Sequence, residues 1–324
     1  VSWPITIDDV RRAVERIRPH LQRTALRDYA PLDAFVGAGI RVVVKHENHQ
    51  PTNAFKVRNA VNAVAALDEP SRKRGLIAAT RGNHGAGLAW AGARFGAPVV
   101  VVVPHGNNPE KNAAIRGFGA ELVEAGHDYD QSVVTADEIR KERGLHMVHS
   151  TNDRDVLAGA ATLSLEIVEE APDVDAMVIA VGGGSQAVGA LTIARALNPG
   201  IRVYAVQAVG AAAMHDAVTT GRPRAYDSAN TFADGIATRV PYELSYPALR
   251  EGLSGFVTVS DAEIAAAMRT LVTTTHQLVE GAGAAGLAGL LKLRDKLGGK
   301  KVAIVLSGGN VDLPTLRKVV TGEL

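Results

Sequence analysis

The sequence predicts an α/β protein of two open, mostly parallel α/β domains, and three observations carry that prediction. Short β-branched runs alternate with longer helical stretches along the chain. The 324 residues suffice for two domains of about 150 each. Aromatics make up 4% of the chain, while Ala, Val and Gly are plentiful, which favours close helix–sheet packing over a β-sandwich built on rings.

Leu76 to Ala79, Val99 to Val103, Met177 to Val181, Val203 to Val206 and Val302 to Leu306 read as buried parallel strands, being short apolar runs. Helix signals lie between them. Asn108-Pro109-Glu110 supplies an N-cap, a proline at the first helical position and an acid in the first turn. Ser260-Asp261-Ala262-Glu263 is a capping box before the run Ile264 to Leu271. Gly96 and Gly144 read as C-terminal stops. Strands alternating with helices imply right-handed crossovers. Two stretches are candidates for the chain passing between domains, His149 to Arg154 and Gln50 to Asn53. Gly221 to Thr231 reads as a surface or active-site loop.

Composition removes several functions. Lys and Arg number 35 against 34 Asp and Glu, a formal charge of +1 with no basic stripe, so nucleic acid is not an expected partner. There is no cysteine, which excludes disulfides, thiolate metal sites and a cysteine nucleophile. Histidines are scattered without HExxH spacing, and no metal is expected. The apolar runs are far too short for a membrane span, and Val1-Ser2-Trp3-Pro4 does not read as a signal peptide. A soluble cytoplasmic protein is the expectation.

Four segments carry chemistry. In Gln50 to Ala60, Lys56 follows an apolar residue and opens a stretch rich in Ala and Val. A lysine desolvated there loses pKa, and its amine becomes available for imine chemistry near neutral pH, although a lone lysine is more commonly a surface residue. Ala79 to Gly87 joins a strand to a helix, where free backbone N–H groups at the sheet's carboxyl edge suit an α-carboxylate. Val181 to Ala187, with Gly182, Gly183 and Gly184, is a candidate phosphate cradle at a helix start. It also fits a degenerate dinucleotide fingerprint, but Gln207 stands where that fingerprint wants an acid. Leu306 to Asn310 is a further polar turn after the last strand.

Together these segments resemble a known family. Asn53 to Ala60 resembles its Gly-Ser-Phe-Lys-x-Arg-Gly-Ala, and Thr80 to Gly85 its Ser-x-Gly-Asn-His-Ala/Gly. Gly182 to Ser185 and Ser307 to Asn310 look like its glycine loop and its Ser/Cys-Gly-Gly-Asn, and Glu280 to Ala284 looks like its Glu-x-x-Gly-Ala. The five occur in the family's order, from residue 50 to 310. The family is the fold-type-II pyridoxal-phosphate enzymes, nearest the serine/threonine dehydratases and serine racemases.

The resemblance implies the tryptophan synthase β-like architecture. Residues 1–52 and 151–324 are expected to form a large cofactor-binding domain, and residues 53–150 a small domain carrying the asparagine loop. Pyridoxal 5'-phosphate would be held as a Schiff base by Lys56, which would also move the Cα proton. Phe55 would back the ring, and Asn83 would bond the cofactor's 3-oxygen. Gly182, Gly183, Gly184 and Ser185 would bind the phosphate and Ser307 the pyridine nitrogen, with Glu280 also at the cofactor. Thr80, Arg81, Gly82, Asn83 and His84 would hold the substrate carboxylate. A neutral hydroxyl cannot keep the ring nitrogen protonated, which suits elimination of a β-hydroxyl. The expected function is an ammonia-lyase acting on threonine, serine, or a bulkier or acidic relative such as phenylserine or 3-hydroxyaspartate. A β-replacement enzyme of the same fold is the alternative, and a dinucleotide-binding or non-catalytic α/β protein a weaker one. The partner is a small amino acid, and the expected assembly a homodimer.

The sequence departs from the family in places. Arg81 stands where racemising members carry the second-face serine; arginine is always cationic and cannot exchange a proton near neutrality, so racemisation is not expected. Its guanidinium either pairs with a carboxylate such as Glu280 or faces the substrate's Cα–Cβ region. Gln207 and Ala213 replace the two carboxylates of metal-activated members. Ala54 and Asn59 replace a small polar residue and a glycine beside the lysine. The chain runs only fourteen residues past Asn310, so no regulatory domain is expected.

Overall fold

Among the residues that the computed structural model describes, 3–324 without the side chain of Asp130, ten strands sort into two sheets. Val1 and Ser2, from the N-terminal stretch read above, lie outside the described residues. In chain order the strands are β1 (Leu26–Asp28), β2 (Arg41–Lys45), β3 (Leu76–Ala79), β4 (Val99–Val103), β5 (Glu121–Glu124), β6 (His146–Met147), β7 (Ala176–Ala180), β8 (Arg202–Ala208), β9 (Gly255–Val259) and β10 (Lys301–Val305). One sheet has the order β1-β2-β10-β7-β8-β9 and the other β5-β4-β3-β6. The β1–β2 pair is antiparallel and the other pairs are parallel. β3 and β4 are buried along their whole length, as strands covered by helices on both faces must be.

The five runs read as strands from the sequence are β3, β4, β7, β8 and β10, within a residue or two. One detail is corrected: β8 continues to Ala208, so Gln207 lies inside the strand and pairs with Thr258 of β9. The cap signals form as read. Asn108 Oδ1 accepts from Glu110 and Lys111 N–H, Ser260 and Glu263 close a capping box, and Gly96 and Gly144 end helices in the left-handed region.

The helix Lys56–Ala66 places the lysine. Residues 57 to 64 are all buried, because the helix is wedged between Asn83–Phe95 and Arg154–Glu170. Two glycines make the wedge possible. A Cβ on Gly87 would stand 3.0 Å from the Lys56 carbonyl, and one on Gly159 would stand 2.6 Å from the Arg58 carbonyl oxygen. Arg58 is 1% exposed and locks the helix in place. Its Nε and Nη2 donate to Glu47 at 2.8 and 2.9 Å, and its two Nη donate to Glu166 at 2.7 and 2.8 Å. Lys45 Nζ stands 2.7 Å from Glu166, and Thr24 Oγ1 donates to Glu47 at 2.6 Å. Buried charges of this kind persist only when each is paired and hydrogen-bonded.

Candidate active site

The turns that leave the carboxyl ends of β3, β7 and β10 meet the start of the lysine helix. Phe55 N–H donates to the Ser307 carbonyl at 3.0 Å, Ala54 forms an isolated antiparallel bridge with Gly308, and Gly309 N–H donates to the Asn53 carbonyl at 2.8 Å. Asn53 takes φ +52° in this tight turn, a conformation asparagine tolerates better than most residues. Phe55, Lys56, the Thr80 to His84 turn, the Gly182 to Ser185 turn, Glu280 and Ser307 all line one cavity. Every candidate residue is therefore brought together.

Lys56 Nζ donates to the Ser150 carbonyl at 3.1 Å and stands 5.0 Å from the centre of the Phe55 ring. Part of its surface stays open to the cavity, yet the surrounding protein desolvates the amine and lowers its pKa to about 8. Two histidines nearby are held neutral, first by burial and then by the Lys56 charge. His84 is pushed down to about 3 and His149 to about 4. His84 Nε2 lies 2.9 Å from the Val148 carbonyl, so its ring is tied to the protein. His149 Nδ1 accepts from the Thr151 and Asn152 N–H groups at 3.0 and 2.8 Å, which leaves its proton on Nε2.

The glycine turn leads into the helix Ser185–Leu197, whose first turn has no side-chain cap, so its N–H groups remain for an anion. A side chain would not fit here. A Cβ on Gly183 would lie 2.1 Å from Thr151 Oγ1, and one on Gly182 would lie 2.9 Å from the Gly235 carbonyl oxygen. Gly184 sits at φ +97°, and Ser245 Oγ fixes the turn by donating to the Gly183 carbonyl at 2.6 Å. An anion cradle, a desolvated amine and a flat apolar residue around one cavity fit a phosphorylated aldehyde cofactor.

A polar cluster closes the other side. Asn83 Nδ2 donates to Glu280 Oε1 at 2.6 Å, and Asn310 Nδ2 donates to Asn83 Oδ1 at 2.8 Å. Burial pushes the Glu280 carboxyl up to about 7, with Lys111 pulling against it. Glu280 Oε2 has no hydrogen-bond donor, but Lys111 Nζ stands 3.7 Å away. Lys111 also pairs with Asp234 at 2.5 Å, and its stem covers Gly82, where a Cβ would come within 2.6 Å of Lys111 Cδ. The expected Arg81–Glu280 alternative does not form, because Asn83 and Lys111 occupy that carboxylate.

Lys111, Asp234, Thr151, Tyr129 and Tyr242 line or shape the cavity and were not singled out from the sequence. The loop read as Gly221 to Thr231 misses the cavity; the lining segment is the next one, Asp234 to Thr238. Where the resemblance predicts the loss of a metal-site carboxylate, Gln207 Oε1 accepts from His215 N–H at 2.9 Å, and Gln207 Nε2 lies 3.4 Å from Thr238 Oγ1. That amide is committed to the protein. Ala213 begins a helix and offers no ligand atom from its side chain.

The model of a family described as pyridoxal-phosphate dependent enzyme matches residues 17–308. The L-threonine ammonia-lyase of Thermotoga maritima is 36% identical over 320 residues, which span 99% of this chain and 79% of that protein. The catabolic L-threonine dehydratase of Staphylococcus aureus is 32% identical over 319 residues, spanning 98% and 92%. The solved structure of maize serine racemase superposes with a TM-score of 0.93 at 29% identity, covering 99% of this chain and 98% of that one.

Proposed function

Since the chain belongs to the pyridoxal-phosphate dependent enzyme family and is a lyase of it, with pyridoxal phosphate as its cofactor, we propose that it eliminates the β-hydroxyl of a β-hydroxy amino acid. Threonine and serine are the simplest substrates, and a bulkier or acidic relative is the wider class. The observation that carries this reading is the convergence of Lys56, the glycine turn and the Thr80 to His84 turn on one cavity. The names of the relatives from Thermotoga maritima and Staphylococcus aureus support the same chemistry.

Pyridoxal phosphate, when bound, would supply an electron sink for the electron pair left at the amino acid's Cα. Lys56 would hold it, and the same amine, with its pKa near 8, is the base for the Cα proton. Gly182, Gly183, Gly184 and Ser185 would take the phosphate on their N–H groups, and Phe55 would back the ring. Asn83, fixed by Glu280 and Asn310, would meet the ring's 3-oxygen, and Ser307 the ring nitrogen. The N–H groups of the Thr80 to His84 turn would hold the substrate carboxylate. The net change balances: the Cα–H and Cβ–O bonds break and one water leaves. Hydrolysis of the released imino acid then consumes one water and yields a 2-oxo acid and ammonia. We read residues 1–52 with 151–324 as the cofactor-holding domain and 53–150 as the smaller one, because the strands of the four-stranded sheet all fall between residues 76 and 147.

The test is a panel of β-hydroxy amino acids assayed for 2-oxo acid and ammonia with the cofactor-loaded protein. Equal amounts of both, without any added nucleophile, are expected. Turnover that requires a thiol or amine co-substrate would instead identify a β-replacement enzyme.

A further inference from the structure

The cavity carries a guanidinium that, among the described residues, makes no ion-pair contact, although the Asp128 carboxylate feels its charge at longer range. Arg81 follows β3 and lines the same cavity as Lys56. Its Nε–H is shielded from solvent and has no hydrogen-bond partner. Among the described residues no carboxylate forms an ion pair with its guanidinium. The carboxylates that face this region are already engaged: Asp234 by Lys111 at 2.5 Å, and Glu280 by Asn83 and Lys111. Asp128, the carboxylate that feels the Arg81 charge, is held by other partners: it caps a helix through the Gln131 N–H at 2.9 Å and stands 3.5 Å from Arg239. Lys111, a further cation at the cavity, is paired with Asp234 and stands near Glu280.

A desolvated guanidinium N–H is costly until an acceptor reaches it. A phenyl ring could stack on the guanidinium face, but it offers no acceptor to Nε. The methyl of threonine offers none either. A carboxylate does, and the fork of Arg matches it in geometry. The phenols of Tyr129 and Tyr242 line the same cavity and bond to each other, and burial raises the pKa of both, so neither adds a negative charge there.

From this arrangement we propose that Arg81 is a specificity-determining residue that pairs with a carboxylate on the substrate's β-carbon. The preferred substrates are then β-hydroxy dicarboxylic amino acids, the 3-hydroxyaspartate class, ahead of threonine and serine. The proposal rests on the elimination reading for its reaction, but the recognition it describes does not depend on turnover. It also separates this site from one in which Arg81 serves the α-carboxylate, a group that every amino acid shares.

The experiment uses the cofactor-loaded protein and two isosteric ligands without a β-hydroxyl, aspartate and asparagine. Their dissociation constants are read from the change each causes in the cofactor's visible absorption. Aspartate is expected to bind about ten- to hundredfold tighter than asparagine, the value of one charge-assisted hydrogen bond. Arg81→Met should abolish that ratio, and Arg81→Gln, which keeps a polar N–H donor but removes the charge, should abolish it too. In turnover, the ratio of kcat/KM for 3-hydroxyaspartate over threonine should fall by a similar factor in both variants. Equal affinity for the two ligands in the parent protein would overturn the proposal. So would variants that weaken both ligands alike, because Arg81 would then hold the α-carboxylate. If aspartate is preferred but no β-hydroxy amino acid is turned over, the elimination reading fails while the recognition stands.

Discussion

Lys56 shows how far a single residue's environment sets its chemistry. An ordinary lysine titrates near 10.5, and burial beside the Phe55 ring brings this amine to about 8. The unprotonated form, which attacks an aldehyde, dominates above the pKa. Capture of pyridoxal phosphate by the cofactor-free protein should therefore accelerate as pH rises through about 8 and then level off, as followed by stopped-flow absorbance. A rate that kept climbing toward 10.5 would mean an unshifted lysine. Lys56→Ala should lose turnover by at least about 10²–10⁴-fold, the range for removing a positioned acid–base group. Lys56 was legible because its neighbours form a recognisable segment. Lys111 was not, although the helix start three residues before it was: nothing in Asn108-Pro109-Glu110-Lys111 tells that the fourth side chain reaches across to Asp234, 123 residues later. Long-range charge pairs leave no local pattern.

At the scale of elements, the wedge of the lysine helix and the glycine turn decide the site's geometry. The Arg58 network couples that helix to Lys45 of β2, Glu47 and Glu166, so Arg58→Met leaves two buried carboxylates without their main partner. A loss of about 3–5 kcal/mol in unfolding free energy is expected, measured by chemical denaturation. Gly183→Ala should raise the dissociation constant of pyridoxal phosphate by about tenfold or more, since its Cβ must displace Thr151 from 2.1 Å contact and overpacking costs about 1–3 kcal/mol. Unchanged cofactor affinity in equilibrium dialysis would remove the turn from the phosphate site. The long buried runs were readable as strands, because only a sheet covered on both faces keeps five valines such as β4. The two-residue β6 and the half-exposed β5 were not readable, having neither apolar continuity nor clear alternation. β2, with its Val42-Val43-Val44 run, was missed despite carrying a usable signal.

For the whole molecule, two mostly parallel sheets bring their carboxyl-end turns to one cavity, and the candidate functional segments line it. That placement was legible from the order of five short motifs. The closing segment Asp234 to Thr238 was not, because its position depends on how the chain returns after β8 and not on its own composition. Among the described residues no helix is long and apolar enough to cross a membrane. Gln207, which the resemblance sets where metal-activated members carry a carboxylate, is bonded to His215 N–H and close to Thr238. EDTA should accordingly leave both activity and melting temperature unaltered, and a loss restored by Mg²⁺ would show other ligands at work. The most direct test of the central claim, that Lys56 holds pyridoxal phosphate in this cavity, is borohydride reduction of the loaded protein followed by peptide mapping. We expect the pyridoxyl group on the peptide containing Lys56, at one per chain. A label on any other lysine, or none, would contradict the assignment.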